Sequence, residues 1–310
     1  VVTYIKQDTI LILTSELSWH KIREDDNIRI LSPQGYDITF DGHTCHYQEI
    51  DGVDRGQFEV DGILWREGHI IPDTGLEELL GEIKEAGIPC LNAPEVTLKC
   101  MDTVQIVREC LSNAILAKYC KFELQPYHDL DIQAPVVIKL PNFHGGIGKW
   151  FVRTAEELEE VLDTKQKISW GEHHYNGYLS KEPAISEYLL VEPFVSGNDT
   201  RIYVYRDRKA DQYRFKYLYR TVKEGHWLAN RHTDTFELYD EENEEIEELC
   251  MEAVKLLHYP DLVGIDLIRN DDEITILEIN NDVPGLAALE LNDDYTIHQT
   301  MLANIKSLLN

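Results

Sequence analysis

No run of about 18 uninterrupted apolar residues occurs in the chain, and its N-terminus lacks the basic-then-apolar profile of an export signal, so neither a membrane protein nor a secreted one is expected. Positive charge is scarce. The 29 Lys and Arg stand against 57 Asp and Glu, and the resulting net charge of −28 repels a nucleic-acid backbone over most of the surface. Such a field could gather basic peptides or amines, but a well-solvated surface is the simpler reading. The 6 cysteines include no CxxC pair and no Cys/His spacing suited to structural zinc, which reads as reduced thiols in a cytoplasmic protein. His43, Cys45 and His46 lie together in GHTCHY, on a turn-and-strand segment that makes them structural rather than a ligand set. Glycine and proline, at 18 and 11, are too few for a fibrous or disordered chain.

What is present is a globular composition, 43% apolar over 310 residues, enough for two or three packed subdomains. Up to residue 60, short β-rich runs (TILILT, NIRIL, YDITF) alternate with polar turns and predict strands, which cap a sheet more readily than they bind a peptide. Residues 75–86 carry Leu76, Leu79, Leu80 and Ile83 at helical spacing, and AGIPCLN follows as a short strand, so an α/β layer is expected. Residues 94–120 predict a helical zone opened by Pro94, with Val104, Val107, Leu111 and Ile115 as its buried stripe. Residues 125–135, with two prolines, read as a linker. Next come a buried strand VVIK, the loop LPNFHGGIGK, a strand WFV and an acidic helix whose start is marked by Thr154 and Glu157 as a capping box. From Tyr188 on, YLLVEPFV, RIYVYRD and RFKYLYRTV read as strands and 241–257 as an acidic helix. LVGIDLI and EITILEIN are the last strands, before a PGL turn and a terminal helix.

Four features stand in a fixed order that describes a nucleotide site. They are Lys139 on a strand, the loop Gly145-Gly146-Ile147-Gly148-Lys149, an acidic hinge at Glu192, and the carboxylates Asp266 and Glu278 on neighbouring strands. The glycines let backbone N–H groups approach phosphate oxygens, and a lysine adds charge. The loop is not a Walker A motif, because Phe143 stands where its first glycine belongs and Trp150 where its Ser or Thr belongs. Glu278 and Asn280, two residues apart, leave one face of a strand, and a paired strand can set Asp266 beside them. Three hard oxygen donors on one face of an apolar sheet invite a cation, and magnesium held by carboxylates and nucleotide phosphates fits that chemistry.

The order of VVIK, HGGIGK, YLLVEPFV, DTRIYV, HWLAN, GIDLI and EINN resembles the ATP-grasp superfamily, and within it the RimK-type carboxylate-amine ligases, over roughly residues 60–310. The resemblance implies an α/β (α+β) fold of three subdomains, 1–95, a central lid 96–190 and a metal-holding 191–310, with ATP between the last two. It implies that Lys139 touches the α/β-phosphate region and the adenine edge, that Gly145, Gly146 and Gly148, with Lys149, form the flap over the phosphates, and that Glu192 and Phe194 form the adenine-reading hinge. Asp199 and Arg201 match a D-x-R element and Arg220 a second arginine near the transferred phosphoryl group. Asn230 is placed by the same resemblance at the reacting carboxylate, with Asp266, Glu278 and Asn280 around Mg2+, or Mn2+ in its stead. The family usually has a lysine where this chain has Thr103, leaving Lys99, one turn earlier, as the candidate substitute. It often has an arginine at the position of Leu228, and its turn after EIN is one residue shorter. These departures touch the acceptor pocket more than the ATP site.

The implied reaction joins a carboxylate to an amine through an acylphosphate, with ADP and phosphate released and no protein nucleophile. The acceptor is an amino acid, peptide or small amine, and a homo-oligomer is allowed. Two other readings stand beside it: a small-metabolite ligase of glutathione synthetase or D-alanine ligase type, and a nucleotide-binding regulator in which Thr103 and Leu228 mark lost catalysis.

Overall fold

Four consecutive apolar residues form β1 (Ile10–Leu13), and all four are buried because the strand is covered on both faces and paired on both edges. In the computed structural model, residues 8–14, 19, 27–33, 35–50, 52, 54–66, 75–126, 132–133, 135–141, 148–168, 174–175, 178–179, 188–227, 232–239, 242–270, 273–280 and 284–309 are described. β1 lies between β2 (Ile28–Leu31) and β6 (Gly62–Trp65), and β7 (Cys90–Leu91) completes a parallel sheet of order β2-β1-β6-β7. An antiparallel meander, β3 (Tyr36–Asp41), β4 (Thr44–Glu49) and β5 (Arg55–Glu59), lays Ile38, Cys45 and Phe58 against α1 (Leu76–Ala86). Leu76, Leu79, Leu80 and Ile83 face that core, as their spacing predicts. Cys45 points into this core, while His43 meets the Val60 carbonyl through Nδ1 at 3.1 Å and His46, one residue on, takes the other face of β4.

The helical zone at 94–120 is broken. α2 (Pro94–Met101) ends at Asp102, whose carboxylate accepts the Gln105 N–H at 2.9 Å and so caps α3 (Thr103–Ser112). Asn113 then accepts the N–H groups of Ile115 and Leu116 and opens a 3-10 turn, Leu116–Lys118. Each break resets the helical phase. The buried residues are Ile106, Val107, Cys110 and Leu116, whereas Leu111 and Ile115 are exposed at 38% and 41%, a correction to the expected stripe. The stretch read as a linker also begins as structure, since Gln125 and Pro126 belong to β8 (Glu123–Pro126), an edge strand where a missing N–H is tolerated.

β8 joins β9 (Val136–Lys139), β10 (Lys149–Val152) and β13 (Tyr188–Pro193) in an antiparallel sheet of order β10-β9-β13-β8. α4 (Ala155–Ile168) starts where Thr154 and Glu157 predict it: the Thr154 hydroxyl accepts the Glu157 N–H at 3.3 Å, and the Glu157 carboxylate accepts the N–H of Arg153, one residue earlier than in the usual box. A small hairpin, β11 (His174–Tyr175) and β12 (Tyr178–Leu179), follows.

The third sheet is antiparallel, of order β16-β15-β14-β17-β18, built from β14 (Asn198–Asp207), β15 (Gln212–Val222), β16 (Thr233–Tyr239), β17 (Leu262–Arg269) and β18 (Ile274–Asn280). One face packs on α5 (Glu244–Leu256), capped by Asn243, and on residues of α2 and α3. The other packs on α6 (Ala287–Glu290) and α7 (Thr296–Leu308). Packing therefore crosses the expected subdomain limits: Val96, Cys100, Ile106 and Val107 share a core with Ile202 and Ile265, and Ile297, Met301 and Ile305 of α7 join Ile10, Ile12 and Leu64 to Tyr203 and Leu262. Among the described residues no helix is long and apolar enough to cross a membrane.

Candidate active site

Strand register assembles the site. On β14, Asp199 and Arg201 are two apart and share a face; Asp199 lies opposite Arg220 of β15, Arg201 opposite Asp266 of β17, and Asp266 opposite Glu278 of β18. Four neighbouring strands thus carry one row of charge. The sheet of β8, β9, β10 and β13 supplies the facing wall, where Lys139 and Lys149 are direct cross-strand partners and Glu192 stands two register positions along, opposite Val137. Between the two walls lies an open cleft of about 580 Å³ lined by Lys139, Lys149, Glu192, Phe194, Asp199, Arg220, Trp227, Asp266 and Glu278 among others.

Each charge is matched. Lys139 Nζ sits 2.6 Å from Glu192 Oε1 and donates to the Leu277 carbonyl at 3.1 Å; Lys149 Nζ sits 2.8 Å from Glu278 Oε2. Both lysines therefore bridge from one wall to β18 on the other. Arg201 grips Asp266 with a fork of two hydrogen bonds, each 2.7 Å, and Arg220 pairs with Asp199 through Nε and Nη2, the same Nη2 lying 3.1 Å from Asp266 Oδ1. Four cations face four carboxylates in a chain of net charge −28. Burial works to raise Glu278, with Asp266 adding to it, but Lys149 and Lys139 together hold the carboxyl below its ordinary range. Burial likewise works against charge on Lys149, and Glu278, with Asp266 and Glu192 beyond, more than offsets it and raises the ammonium. Asp199 is pushed up, first by burial and then by the Asp266 carboxylate, against the pull of Arg220.

Gly148 leads into β10 at φ 66°, where its carbonyl accepts the Leu140 N–H at 2.8 Å and a Cβ would stand 3.1 Å from Leu140 Cβ. Gly197 brings the chain from β13 so near the Arg269 carbonyl that a Cβ would lie 2.4 Å from it, which fixes where β14 starts. Phe194 and Trp227 line the cleft, and Phe151 packs against both. Phe151 stacks on Phe194 at 4.4 Å, Trp227 tilts against Phe151 at 5.9 Å, and Arg153 lies over Phe151 at 4.8 Å.

Of the residues singled out from sequence, Lys139, Lys149, Glu192, Phe194, Asp199, Arg220, Asp266 and Glu278 line one cleft, and Arg201 reaches it through Asp266. Lys99 does not. Its ammonium donates to the Leu256 carbonyl at 2.7 Å and pairs with Glu109 at 2.7 Å, fastening α2 to the end of α5. Gly145, Gly146 and Asn230 lie outside the described residues, as does Leu228; Asn280 is placed by its backbone only, opposite Gly264. Thr103 is the first residue of α3, directly after the Asp102 cap. Sequence reasoning missed Phe151 and Trp227. Phe151 was legible, since it is two residues from Lys149 on β10 and must share its face; Trp227 stands in HWLAN, but no strand period there sets which way it faces.

The donor set can be weighed for Mg2+. Among the described residues no group of three His, Cys, Asp or Glu side chains could hold a metal. Two carboxylates, Asp266 and Glu278, are direct cross-strand partners, and Asn280 stands two residues further on β18. Mg2+ is usually bound by one or two carboxylates with substrate phosphates completing its octahedron, so the residues fit that ion.

Residues 98–305 match the family model of the RimK-like ATP-grasp domain, more than half of the chain. The chain belongs to that family and is an ATP-grasp ligase, of the class that forms carbon–nitrogen bonds with release of ADP. Its fold is that of solved ATP-grasp ligases. The D-alanine–D-alanine ligase from Bacillus anthracis is 14% identical with a TM-score of 0.61, over 98% of this chain and 99% of that one. VanG D-Ala:D-Ser ligase from Enterococcus faecalis is 14% identical, TM-score 0.63, over 98% and 100%. The ATP-grasp ligase PsnB, complexed with a phosphomimetic variant of its minimal precursor, Mg and ADP, is 12% identical, TM-score 0.62, over 98% and 99%. No curated protein matches the chain by sequence.

Proposed function

We propose that this chain activates a substrate carboxylate with ATP and couples it to an amine. A carboxylate oxygen attacks the γ-phosphorus, ADP leaves, the amine nitrogen attacks the acyl carbon, and phosphate departs as the nitrogen loses its proton. One observation carries the reading: four cations and four carboxylates pair around a cleft between two sheets, and two of the cations, Lys139 and Lys149, reach from one sheet to β18 of the other. A triphosphate entering such a cleft takes over the cations, and the carboxylates it frees are hard oxygen ligands. Lys139 and Lys149 then hold phosphate oxygens, Phe194 and Glu192 meet the adenine, and Arg220 and Arg201 meet the transferring phosphoryl and acyl-phosphate charge. Asp266, Glu278 and Asn280 would hold Mg2+, or Mn2+, which when bound neutralises charge on the transferring phosphoryl group. Gly145, Gly146 and Gly148 close over the phosphates and exclude the water that would hydrolyse the acylphosphate. Lys99, fastened to Leu256 and Glu109, leaves the phosphate contacts to Lys139 and Lys149. Asn230 is assigned to the reacting carboxylate.

The amine acceptor is an amino acid or peptide. PsnB is seen complexed with a minimal precursor, and the D-alanine and VanG ligases join amino acids, so both substrate scales occur on this fold. None of Cys45, Cys90, Cys100, Cys110, Cys120 and Cys250 is in a disulfide, which agrees with a reducing cytoplasm where ATP is at hand. The test is magnesium-dependent release of ADP and phosphate from ATP across a panel of carboxylates and amines, amino acids and peptides included, with mass spectrometry of the products. A new amide with stoichiometric ADP supports the reading and names the substrates. AMP and pyrophosphate instead replace it with adenylate chemistry, and tight ATP binding without turnover replaces it with a nucleotide-binding regulator.

A further inference from the structure

The chain at Pro284 and Gly285, beyond the end of β18, is held by two buried side chains, one just after β6 and one on β14. Arg66, at the carboxyl end of β6 and 1% exposed, donates through its guanidinium to the Pro284 carbonyl at 2.8 Å. Tyr203, wholly buried on β14, donates its hydroxyl to the next carbonyl, that of Gly285, also at 2.8 Å. Pro284 comes four residues after Asn280, so both bonds act on the chain just beyond β18. Tyr203 is two residues from Arg201 on the same face of β14, and Arg201 is among the charges that act on its hydroxyl. A line of contact thus runs from Pro284 and Gly285 through Tyr203 and Arg201 to Asp266.

Arg66 is itself firmly seated. Its N–H donates to the Leu13 carbonyl at 2.8 Å, which ties β6 to β1, and its guanidinium carbon lies 5.9 Å from the Trp19 ring. Trp19 packs in turn on His298 of α7 at 4.7 Å. The carboxyl ends of parallel strands are where open α/β sheets meet ligands, and a fully buried guanidinium is a costly device for holding one backbone carbonyl.

We propose that Arg66 and Tyr203 are positioning residues that clamp the Pro284–Gly285 turn and thereby fix the end of β18 that carries Glu278 and Asn280. The proposal rests on the ligase reading only for its kinetic consequence. The clamp acts on the metal strand, not on the wall that holds Lys139 and Lys149, so its loss spares nucleotide affinity while misplacing the metal-side oxygens.

Tyr203→Phe removes one hydroxyl and keeps the ring; Arg66→Lys keeps the charge without the planar fork, and Arg66→Met removes both. Hydrogen exchange of the full chain is read over residues 274–290, and Mn2+ binding in the presence of ADP is read by electron paramagnetic resonance. Tyr203→Phe is expected to expose the turn to faster exchange and to weaken Mn2+ binding about tenfold, the effect of losing a partner that orients a metal ligand. ADP affinity without metal stays within about twofold, and turnover falls through kcat with KM for ATP kept. Arg66→Lys recovers part of what Arg66→Met loses. Wild-type exchange of the turn in both Tyr203→Phe and Arg66→Met overturns the clamp, as does wild-type Mn2+ binding in Tyr203→Phe. If Arg66→Met does not fold, Tyr203→Phe decides alone. Because exchange and Mn2+ binding need no carboxylate or amine, absence of turnover in the wild type counts against the ligase reading and leaves the clamp to be judged on its own.

Discussion

Lys149→Met, Glu278→Gln and the double variant form a cycle that reads the charge exchange directly. The Lys149 and Glu278 side chains are 8% and 25% exposed with Nζ and Oε2 2.8 Å apart. At an effective dielectric near 20, a pair about 4 Å apart attracts by about 4 kcal/mol. Desolvation of both ends, and the remaining contact of Glu278 with water, reduce the net coupling to about 2–3 kcal/mol. Lys149→Met also leaves Glu278 facing Asp266 across the strand pair, so that variant alone is expected to lose about 3 kcal/mol.

Urea unfolding of the four proteins gives the coupling without nucleotide, and the same series with saturating Mg2+ and a non-hydrolysable ATP analogue gives it with the cleft filled. The expected outcome is about 2–3 kcal/mol in the first series and under about 0.5 kcal/mol in the second, because Lys149 has turned to phosphate. The cycle cancels the phosphate contact that Lys149→Met loses by itself. A coupling that survives nucleotide binding refutes the exchange, and one that is absent without nucleotide refutes the pair. Glu278→Gln, which keeps its shape, is also expected to abolish turnover; a near-normal rate ends its assignment to the metal.

Lys139→Ala should weaken ATP binding about tenfold or more by calorimetry while leaving the sheet intact, and unchanged affinity means the phosphates lie elsewhere. Trp227 lines the cleft beside Phe151, so ATP binding should change its fluorescence; the Trp227→Phe variant must lose that change, and a signal that persists belongs to another tryptophan. Burial works to raise Asp294, but Lys216 and the Thr296 N–H at 2.9 Å hold it below the ordinary carboxylate range. A depressed carboxylate stabilises the fold above its unfolded value and loses that contribution as pH falls through its folded value. Asp294→Asn should therefore cost about 1 kcal/mol at pH 7 and progressively less below about pH 4 in urea unfolding, and a cost independent of pH contradicts the pairing.

Elements with an uninterrupted period were legible in the sequence. α1 kept the single stripe Leu76, Leu79, Leu80 and Ile83, and the β14, β15, β17 and β18 runs stood where β-branched and aromatic residues alternate. The zone at 94–120 was not, because Asp102 and Asn113 each bond backbone N–H groups just ahead of them and restart the helix, so a stripe extrapolated through both breaks lands on solvent at Leu111 and Ile115. β16 escaped for a different reason. Its run TDTFELY carries two acids, Asp234 and Glu237, and is only half covered, so it pairs with β15 without the apolar run that announces a buried strand.

Within the site, local spacing placed side chains on faces but not against one another. Glu278 and Asn280 at two residues' spacing gave one face, and that face also follows for Lys149 and Phe151. Which cation meets which carboxylate depends on register between segments far apart in the chain: Lys149 and Glu278 are separated by 129 positions, Arg201 and Asp266 by 65. Lys99 shows the cost of arguing from position alone. One helical turn from Thr103 it stood near the expected phosphate contact, yet the cap at Asp102 separates their helices, and its ammonium, aimed at the exposed carbonyl end of α5, finds Leu256 and Glu109 instead. A lysine beside a helix C-terminus has a ready acceptor there, and that local bond, rather than the distant phosphate, decided where it points.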